Sequence, residues 1–245
     1  GLATGLQRDR VWIFERSPVL SLKRHGLGWK AKTPKGSITA AKIILANNGH
    51  LESFGFAKGR LMHLFLFAVM TPNLPADALG GQPRWGVTPS DPMGTTVRRI
   101  GPDQGGHRII TRTCAALRPG MRAARGDMAR AAKVMQRKFD ARFPALAGMT
   151  MEYAWAGHLC LTRNGSSVVG PVEDQVFSAC VQNGLGTTRG TLAGMAAAEL
   201  ALDQISDITD FFTQQSPPKR LPPPPFQQWG GNTVVRWKEW TARQE

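Results

Sequence analysis

The spacing of apolar and polar residues divides the chain into short β-like runs and two helical stretches. Val11-Trp12-Ile13-Phe14 reads as a strand. Gly28 to Thr33 alternates as a half-buried strand does, Pro34-Lys35-Gly36 marks a turn, and Ser37 to Ala41 returns as the partner strand. Ile43-Ile44-Leu45-Ala46 is a continuous apolar run, of the kind buried on both faces in a parallel sheet. Asn47-Asn48-Gly49 breaks it. Leu61 to Met70, Thr95 to Ile100 and His107 to Thr113, separated by Gly and Pro clusters, predict a mostly antiparallel sheet. Between Asp127 and Phe143 the period becomes helical: Met128, Ala131, Ala132, Met135, Phe139 and Phe143 recur on one face. Asp127 is placed to cap this helix and Pro144 to end it. Met151 to Leu161 and Val176 to Val181 are strand-like again. An Ala-rich helix is expected from about Gly190 to Leu202, with Gly190 and Gly194 permitting close packing against a neighbour. After Asp210, Pro217-Pro218 and Pro222 to Pro225 predict an extended linker or tail. Trp229, Trp237 and Trp240 predict that the last residues dock, because three tryptophans rarely stay in water.

The chain has 245 residues, 42% of them hydrophobic, enough for one large domain or two small ones. No apolar run reaches membrane-spanning length; the longest, Leu61 to Met70, is interrupted by His63. No secretory signal is visible, and the opening Gly1-Leu2-Ala3 suggests a fragment or a processed product. Cys114, Cys160 and Cys180 are too widely spaced for a disulfide framework or a metal site, and fit buried thiols in a reducing, cytoplasmic compartment. The net charge of +14 can attract nucleic acid, anionic lipid or anionic substrates. The densest basic group, Arg118 to Arg142, reads as the solvated face of a helix.

The strongest chemical signal is a strand, then Gly184-Leu185-Gly186, then a helix. A helix N-terminus presents unpaired N–H groups and partial positive charge, and glycines let a ligand approach the backbone. Thr187 and Thr188 add hydroxyl donors. Such a turn can hold phosphate or the electron-rich edge of a flavin. Alone, a strand-to-helix connection with two glycines is more often just a turn.

Several segments, in their order, resemble the D-amino-acid oxidase-like superfamily of FAD-dependent oxidoreductases, in particular its amino-acid and gamma-glutamylputrescine oxidase-like branch. Val11-x-Ile13-x-Glu15-x-Ser17-Pro18-Val19 is similar to the strand whose valine meets the adenine. The Gly28 to Gly36 hairpin leading to Ala40 through Gly49 resembles the segment that re-enters the FAD sheet. Arg142-Phe143-Pro144-x-Leu146 before Tyr153-x-Trp155-x-Gly157 resembles the return from the substrate domain. Asn183-Gly184-Leu185-Gly186 with Gly190 and Gly194 resembles the flavin loop and its helix. The similarity spans roughly residues 1 to 205. Two features of the family are missing: a Gly-x-Gly-x-x-Gly near an N-terminal strand and an acidic residue for the ribose. The family's Asp-x-x-Pro turn is here Asn164-Gly165-Ser166-Ser167.

The resemblance implies an α/β fold: a partial FAD-binding, glutathione-reductase-like domain, without its N-terminal βαβ unit, carrying an inserted, mainly antiparallel substrate domain. Residues 1–55 and 155–205 are assigned to the first, 56–154 to the second and 206–245 to a Pro-rich tail. It implies a C–N oxidation of an amine or amino acid by hydride transfer to the flavin N5, with dioxygen or a quinone as electron acceptor. The implied FAD contacts are Val19, Ala46, Asn47, Gly49, Trp155, Gly157, Gly184, Leu185, Gly186, Thr187 and Thr188. The FAD is expected to be non-covalent, because Cys160 is out of register with the cysteine of covalent members. Arg98, Arg99, Arg189 and His63 are the substrate-binding candidates. Arg98 and Arg99 must point to opposite faces of their strand, so one could hold a carboxylate bidentately. No catalytic acid or base is named, and no metal is expected. Two alternatives stay open: a basic polyanion- or nucleic-acid-binding protein, for which no recognition motif accompanies the charge, and a non-catalytic truncated remnant.

Overall fold

The computed structural model describes residues 2–6, 11–91, 93–223 and 226–242. Its elements are a short helix α1 (Leu2–Leu6), then β1 (Ser21–His25), β2 (Gly28–Thr33), β3 (Gly36–Ala40) and β4 (Ile43–Leu45). Next come β5 (Leu61–Met70), β6 (Trp85–Val87), β7 (Thr96–Ile100), β8 (Arg108–Leu117) and helix α2 (Arg125–Arg142). The remainder is β9 (Tyr153–Thr162), β10 (Val168–Glu173), β11 (Val176–Cys180), α3 (Gly186–Ala201), α4 (Asp207–Thr213) and α5 (Phe226–Thr241). The chain forms two compact units, residues 1–56, 168–180 and 187–215 in one, and 57–167, 181–186 and 216–245 in the other.

In the first unit the expected hairpin is present, and β1 joins it to make the antiparallel sheet β1-β2-β3. Val11 to Phe14 is not a strand: the backbone there is irregular and Trp12 is 83% exposed. The short run Ile43–Leu45 pairs in parallel with β11, and β10 completes that sheet on the other side of β11. The parallel pairing agrees with the apolar run, although Ile44 stays exposed. Small residues let α3 lie close to the sheet: Ala193, Ala196 and Ala197 pack with Ala179 and with Phe212 of α4. Gly194 is not part of that contact; no described atom lies within 4 Å of where its side chain would begin. The Ser206 hydroxyl accepts from the N–H groups of Ile208 and Thr209 and so caps α4.

The second unit is a five-stranded sheet in the order β6-β7-β8-β5-β9. β5 lies between β8 and β9, antiparallel to β8 on one side and, over all ten of its residues, to β9 on the other. That pairing places β9, with Trp155 and Gly157, in the same unit as β5, and this stretch of the unit runs to residue 167 rather than ending before 155. One face of the sheet carries Phe65, Phe67 and Val69 of β5, which pack on Ala131 and Met135 of α2. Further along α2, Phe139 packs with Val97 and Ile109. Arg125, Lys133 and Arg137 lie on the solvated side of α2. Asp127 is inside the helix, not at its cap. Its carboxylate accepts from the Ala124 N–H and from Nε and Nη2 of Arg118 at 2.7 and 2.6 Å.

The supposed tail is ordered as α5. It packs on β8 because Gly231 has no side chain; a Cβ there would come within 2.6 Å of the Leu117 Cδ2. β7 pairs with β8 only at residues 108–112. Beyond it, side chains of α5 satisfy the strand. Asn232 accepts from the Leu117 N–H at 2.9 Å and donates to its carbonyl at 3.1 Å. Glu239 accepts from the Ala115 N–H, and Arg236 donates to the Ala115 carbonyl. The three tryptophans stay largely exposed. Trp229, Trp237 and Trp240 occupy the opposite side of α5 and are 67%, 61% and 56% exposed.

Two predictions follow from this packing. Asn232→Ala removes both partners of Leu117 and is expected to cost about 1–3 kcal/mol, read as a lower midpoint in urea with unchanged slope. The Arg118 guanidinium holds the Asp127 carboxyl below its ordinary 3.8. Its stabilisation is therefore complete above that value and is lost as pH falls through the depressed native value. Urea melts from pH 7 to pH 2 should show this acid loss, and Asp127→Asn, less stable at neutral pH, should show less of it.

Candidate functional site

Each unit contains a cavity lined by residues singled out in the sequence. In the first unit, β4 ends at Leu45, Ala46 and Asn47 follow, and a helical turn, Asn48–Phe54, comes next. Asn48 has a φ of 50°, which turns the chain away from the strand direction. Val19, Ala46 and Asn47 line one cavity of about 730 Å³, whose walls are otherwise mainly Leu20, Leu22, Ile43, Ile44 and Phe54. Gly49 is buried behind it. The Asn47 Oδ1 is 3.4 Å from the Cys180 thiol, whose proton affinity burial raises. The Asn47 Nδ2 is buried without a hydrogen-bond partner among the described residues. A buried orphan donor is costly in a folded protein unless a ligand or water accepts from it.

In the second unit, the loop that follows β11 is wound left-handed at three positions: φ is 66° at Val181, 52° at Asn183 and 85° at Gly184. Positive φ in a buried β-branched residue is an outlier of the sort that collects at functional sites. Asn183 holds the loop in place. Its Nδ2 donates to the carbonyls of Gly165 and Ser166, both at 3.0 Å, and its Oδ1 accepts from the Thr162 N–H at 2.8 Å. The Asn164-Gly165-Ser166 turn thus anchors the loop. Leu185 is exposed, and α3 begins at Gly186, Thr187 and Thr188, a turn earlier than expected.

Asn183, Gly184 and Leu185 line a cavity of about 980 Å³ in the same unit. Its roof is the sheet face opposite α2: Met62, Leu64 and Leu66 of β5, Leu159 and Leu161 of β9, Leu117 and Arg112 of β8. Trp155 and Gly157 share the parity of Leu159 on β9 and therefore the same face. Gly230, Gly231, Val234, Val235 and Lys238 of α5 close another side.

The substrate candidates are placed otherwise. Arg98 and Arg99 do point to opposite faces, one exposed and one buried. The Arg99 guanidinium donates to the carbonyls of Ala76, Gly80 and Gln82 at 3.1–3.2 Å, so it clamps its own chain rather than a carboxylate. Arg98 donates to the Gln104 side chain in a separate surface depression with Arg84. His63 is buried on the α2 side of the sheet, its Nδ1 3.1 Å from Nε2 of His158; alternation along β5 turns it away from the cavity. Arg189 lies in the first turn of α3, in the other unit.

The residue that the sequence reading passed over is Arg112. It is partly buried, burial lowers its affinity for the proton, and its Nη2 donates to the Thr96 hydroxyl at 2.7 Å. A signal existed, an arginine inside a strand run ending in Cys114 to Leu117. Its facing became fixed only through a bulge at Cys114, where φ is 66° and the register with β5 shifts.

A family model described as FAD dependent oxidoreductase matches residues 1–200. The curated Probable oxidoreductase OrdL of Haemophilus influenzae is 23% identical over 217 residues, which cover 86% of this chain and 47% of that protein. The chain thus spans about half the length of that relative. Glycine oxidase from Geobacillus kaustophilus superposes with a TM-score of 0.61 at 15% identity, covering 84% of this chain and 54% of that one. L-proline dehydrogenase from P. horikoshii gives 0.64 at 16%, covering 84% and 55%. L-amino acid deaminase from Proteus vulgaris gives 0.64 at 13%, covering 88% and 61%. At these identities the likeness is one of fold.

The loop geometry separates its two glycines. Gly184→Ala puts a Cβ on a left-handed residue and should cost about 1–2 kcal/mol. Gly186→Ala, at a helical position facing open space, should be neutral or slightly stabilising. Urea denaturation of both variants checks the difference.

Proposed function

The chain belongs to the family of FAD-dependent oxidoreductases, and we propose that it oxidises a C–N bond of a small amino acid or amine. The observation that carries this reading is the cavity of the second unit. The loop read as the flavin loop lines the same space as the apolar roof of the sheet. FAD, the family's cofactor, supplies the hydride acceptor when bound. The residues present suit such a group. In the first unit the Asn47 amide, unpartnered among the described residues, and the mainly apolar walls beside Val19 and Ala46 offer a donor and a surface to such a ligand. In the second, Asn183 and Gly184 hold the left-handed loop that ends at Gly186, where a helix begins and partial positive charge favours an electron-rich ligand.

The chain's own part in the reaction is positioning and exclusion of water. Leu64, Leu66, Leu159 and Leu161 give a substrate an apolar roof, and water-poor surroundings favour hydride transfer over competing proton traffic. No acid–base residue is required if the amine arrives neutral, and none is assigned. Dioxygen or a quinone would then take the electrons. Among the described residues no helix is long and apolar enough to cross a membrane. The buried thiols of Cys114, Cys160 and Cys180 suit a reducing, cytoplasmic setting.

Equilibrium dialysis of the full chain against FAD tests the proposal. Binding is expected to be weak, since the sequence lacks the glycine-rich phosphate loop and the ribose acid, and weaker still in Asn47→Leu. Anaerobic addition of amino acids should then bleach the bound flavin. A chain that takes up no FAD, or a bound flavin that neither amino acids nor amines reduce, overturns the reading.

A further inference from the structure

α5 turns its hydrogen-bonding side chains to the protein and its aromatic ones outward. Asn232, Arg236 and Glu239 are held by the backbone of Ala115 and Leu117. Phe226, Trp229, Trp237 and Trp240 follow one another at steps of three, eight and three residues, so they share one stripe of the helix. They are 65%, 67%, 61% and 56% exposed. Rolling the helix would not bury them. It would break the bonds to β8 and bring a side chain into the place of Gly231, where a Cβ would lie 2.6 Å from the Leu117 Cδ2. A single exposed aromatic is ordinary, but a contiguous row of large ones, fixed outward, marks a contact surface. The stripe also lies beyond residues 1–200, the part that the family shares.

We propose that this stripe docks on an anionic membrane surface, with α5 lying flat and its tryptophans among the lipid headgroups. Two observations select that occupant. The first is residue type. An indole joins an apolar body to one N–H donor, and such rings are enriched where acyl chains meet headgroups. With 16 residues, Arg236, Lys238 and Glu239 among them, α5 suits a helix lying in that interface rather than crossing it. The second is charge. From Ser216 to Ala242 the chain has four basic residues, Lys219, Arg220, Arg236 and Lys238, against one acid, Glu239. Glu239 is largely buried between Arg130 and Arg236. Lys219 and Arg220 are exposed just before the helix, and Lys238 is exposed beside Trp237. Cations so placed are drawn to an anionic leaflet. A second copy of the chain would bring the same cations against them, on a molecule of net charge +14. The docking is independent of the oxidation proposed above.

The test floats the full chain on a density gradient with vesicles of phosphatidylcholine, alone or with about a third phosphatidylglycerol. The chain should rise with the anionic vesicles and much less with the neutral ones. The triple change Trp229→Ser, Trp237→Ser and Trp240→Ser, all at exposed positions, should weaken that binding about 10-fold or more, because affinity follows the apolar area inserted. Lys219→Gln with Arg220→Gln should weaken it several-fold on anionic vesicles only. Trp12→Ser, an exposed tryptophan of the other unit, should change nothing, and neither should Arg125→Gln with Arg137→Gln on the solvated side of α2. If the triple variant does not fold, phosphatidylcholine brominated on its acyl chains, mixed into the anionic vesicles, reads the same contact. It should quench the tryptophan emission of the parent and of Trp12→Ser alike. No flotation overturns the docking. So does flotation that the triple change leaves intact, or bound protein whose emission brominated lipid does not quench. A loss from the α2 pair equal to that from Lys219 and Arg220 overturns it too, since the attraction would then belong to the overall charge. Sedimentation without lipid completes the test: a dimer that the triple change abolishes would assign the stripe to a second copy and overturn the lipid docking. None of these readings involves a flavin, so their failure and that of the oxidation are told apart.

Discussion

A ten-residue strand that is apolar on both sides has to be covered twice, and the second unit is built around that requirement. β5 turns Phe65, Phe67 and Val69 one way and Met62, Leu64 and Leu66 the other. α2 answers the first set with Ala131 and Met135. The second set lies beside Leu159 of β9 and packs with Val235 of α5, and together they line the cavity. Alternation along one strand thus sorts the whole unit into a packed side and a hollow side. It also explains why His63, one residue from Met62 and Leu64, has no access to the cavity they line.

The parts of the fold that local pattern controls were readable. The β2–β3 hairpin, β5, α2 and the parallel β4–β11 pair all come from runs whose period or composition leaves little choice, and they appear within a few residues of where they were expected. The failures share a different cause. β1 carries Lys23, Arg24 and His25 and has no apolar alternation, so only its pairing to β2 makes it a strand. Val11 to Phe14 has the composition of a strand and no partner among the described residues. α5 was hidden by the prolines before it and by two glycines inside it, one of which is what lets the helix approach β8.

The site was legible to a similar limit. Val19, Ala46 and Asn47 gather in one cavity, and Asn183, Gly184 and Leu185 in another. Arginines were harder. Arg99 looked like a ligand for an anion and serves as a staple for the 76–82 loop, whereas Arg112, in a strand that reads as ordinary, lines the cavity. Nothing local distinguishes a guanidinium that will meet three carbonyls from one that will meet none; the difference lies in which loop returns over it. The left-handed residues Val181 and Asn183 were equally invisible, because a valine is the residue least expected there.

The way α5 completes β8 has a consequence for how this molecule behaves in a crowd. Past the end of β7, the backbone of Ala115 and Leu117 would present a row of open donors and acceptors, the template on which a strand from another molecule could grow. Asn232, Arg236 and Glu239 answer those groups with side chains instead of a backbone. A helix that satisfies a strand in this manner ends the ladder, because it offers no new row of its own for the next chain to join. The C-terminal helix is therefore a stopper as well as a wall. A molecule shortened by its last twenty or so residues would be exposed less to unfolding than to recruitment into β-sheet aggregates, a fate set by what the helix withholds from its neighbours.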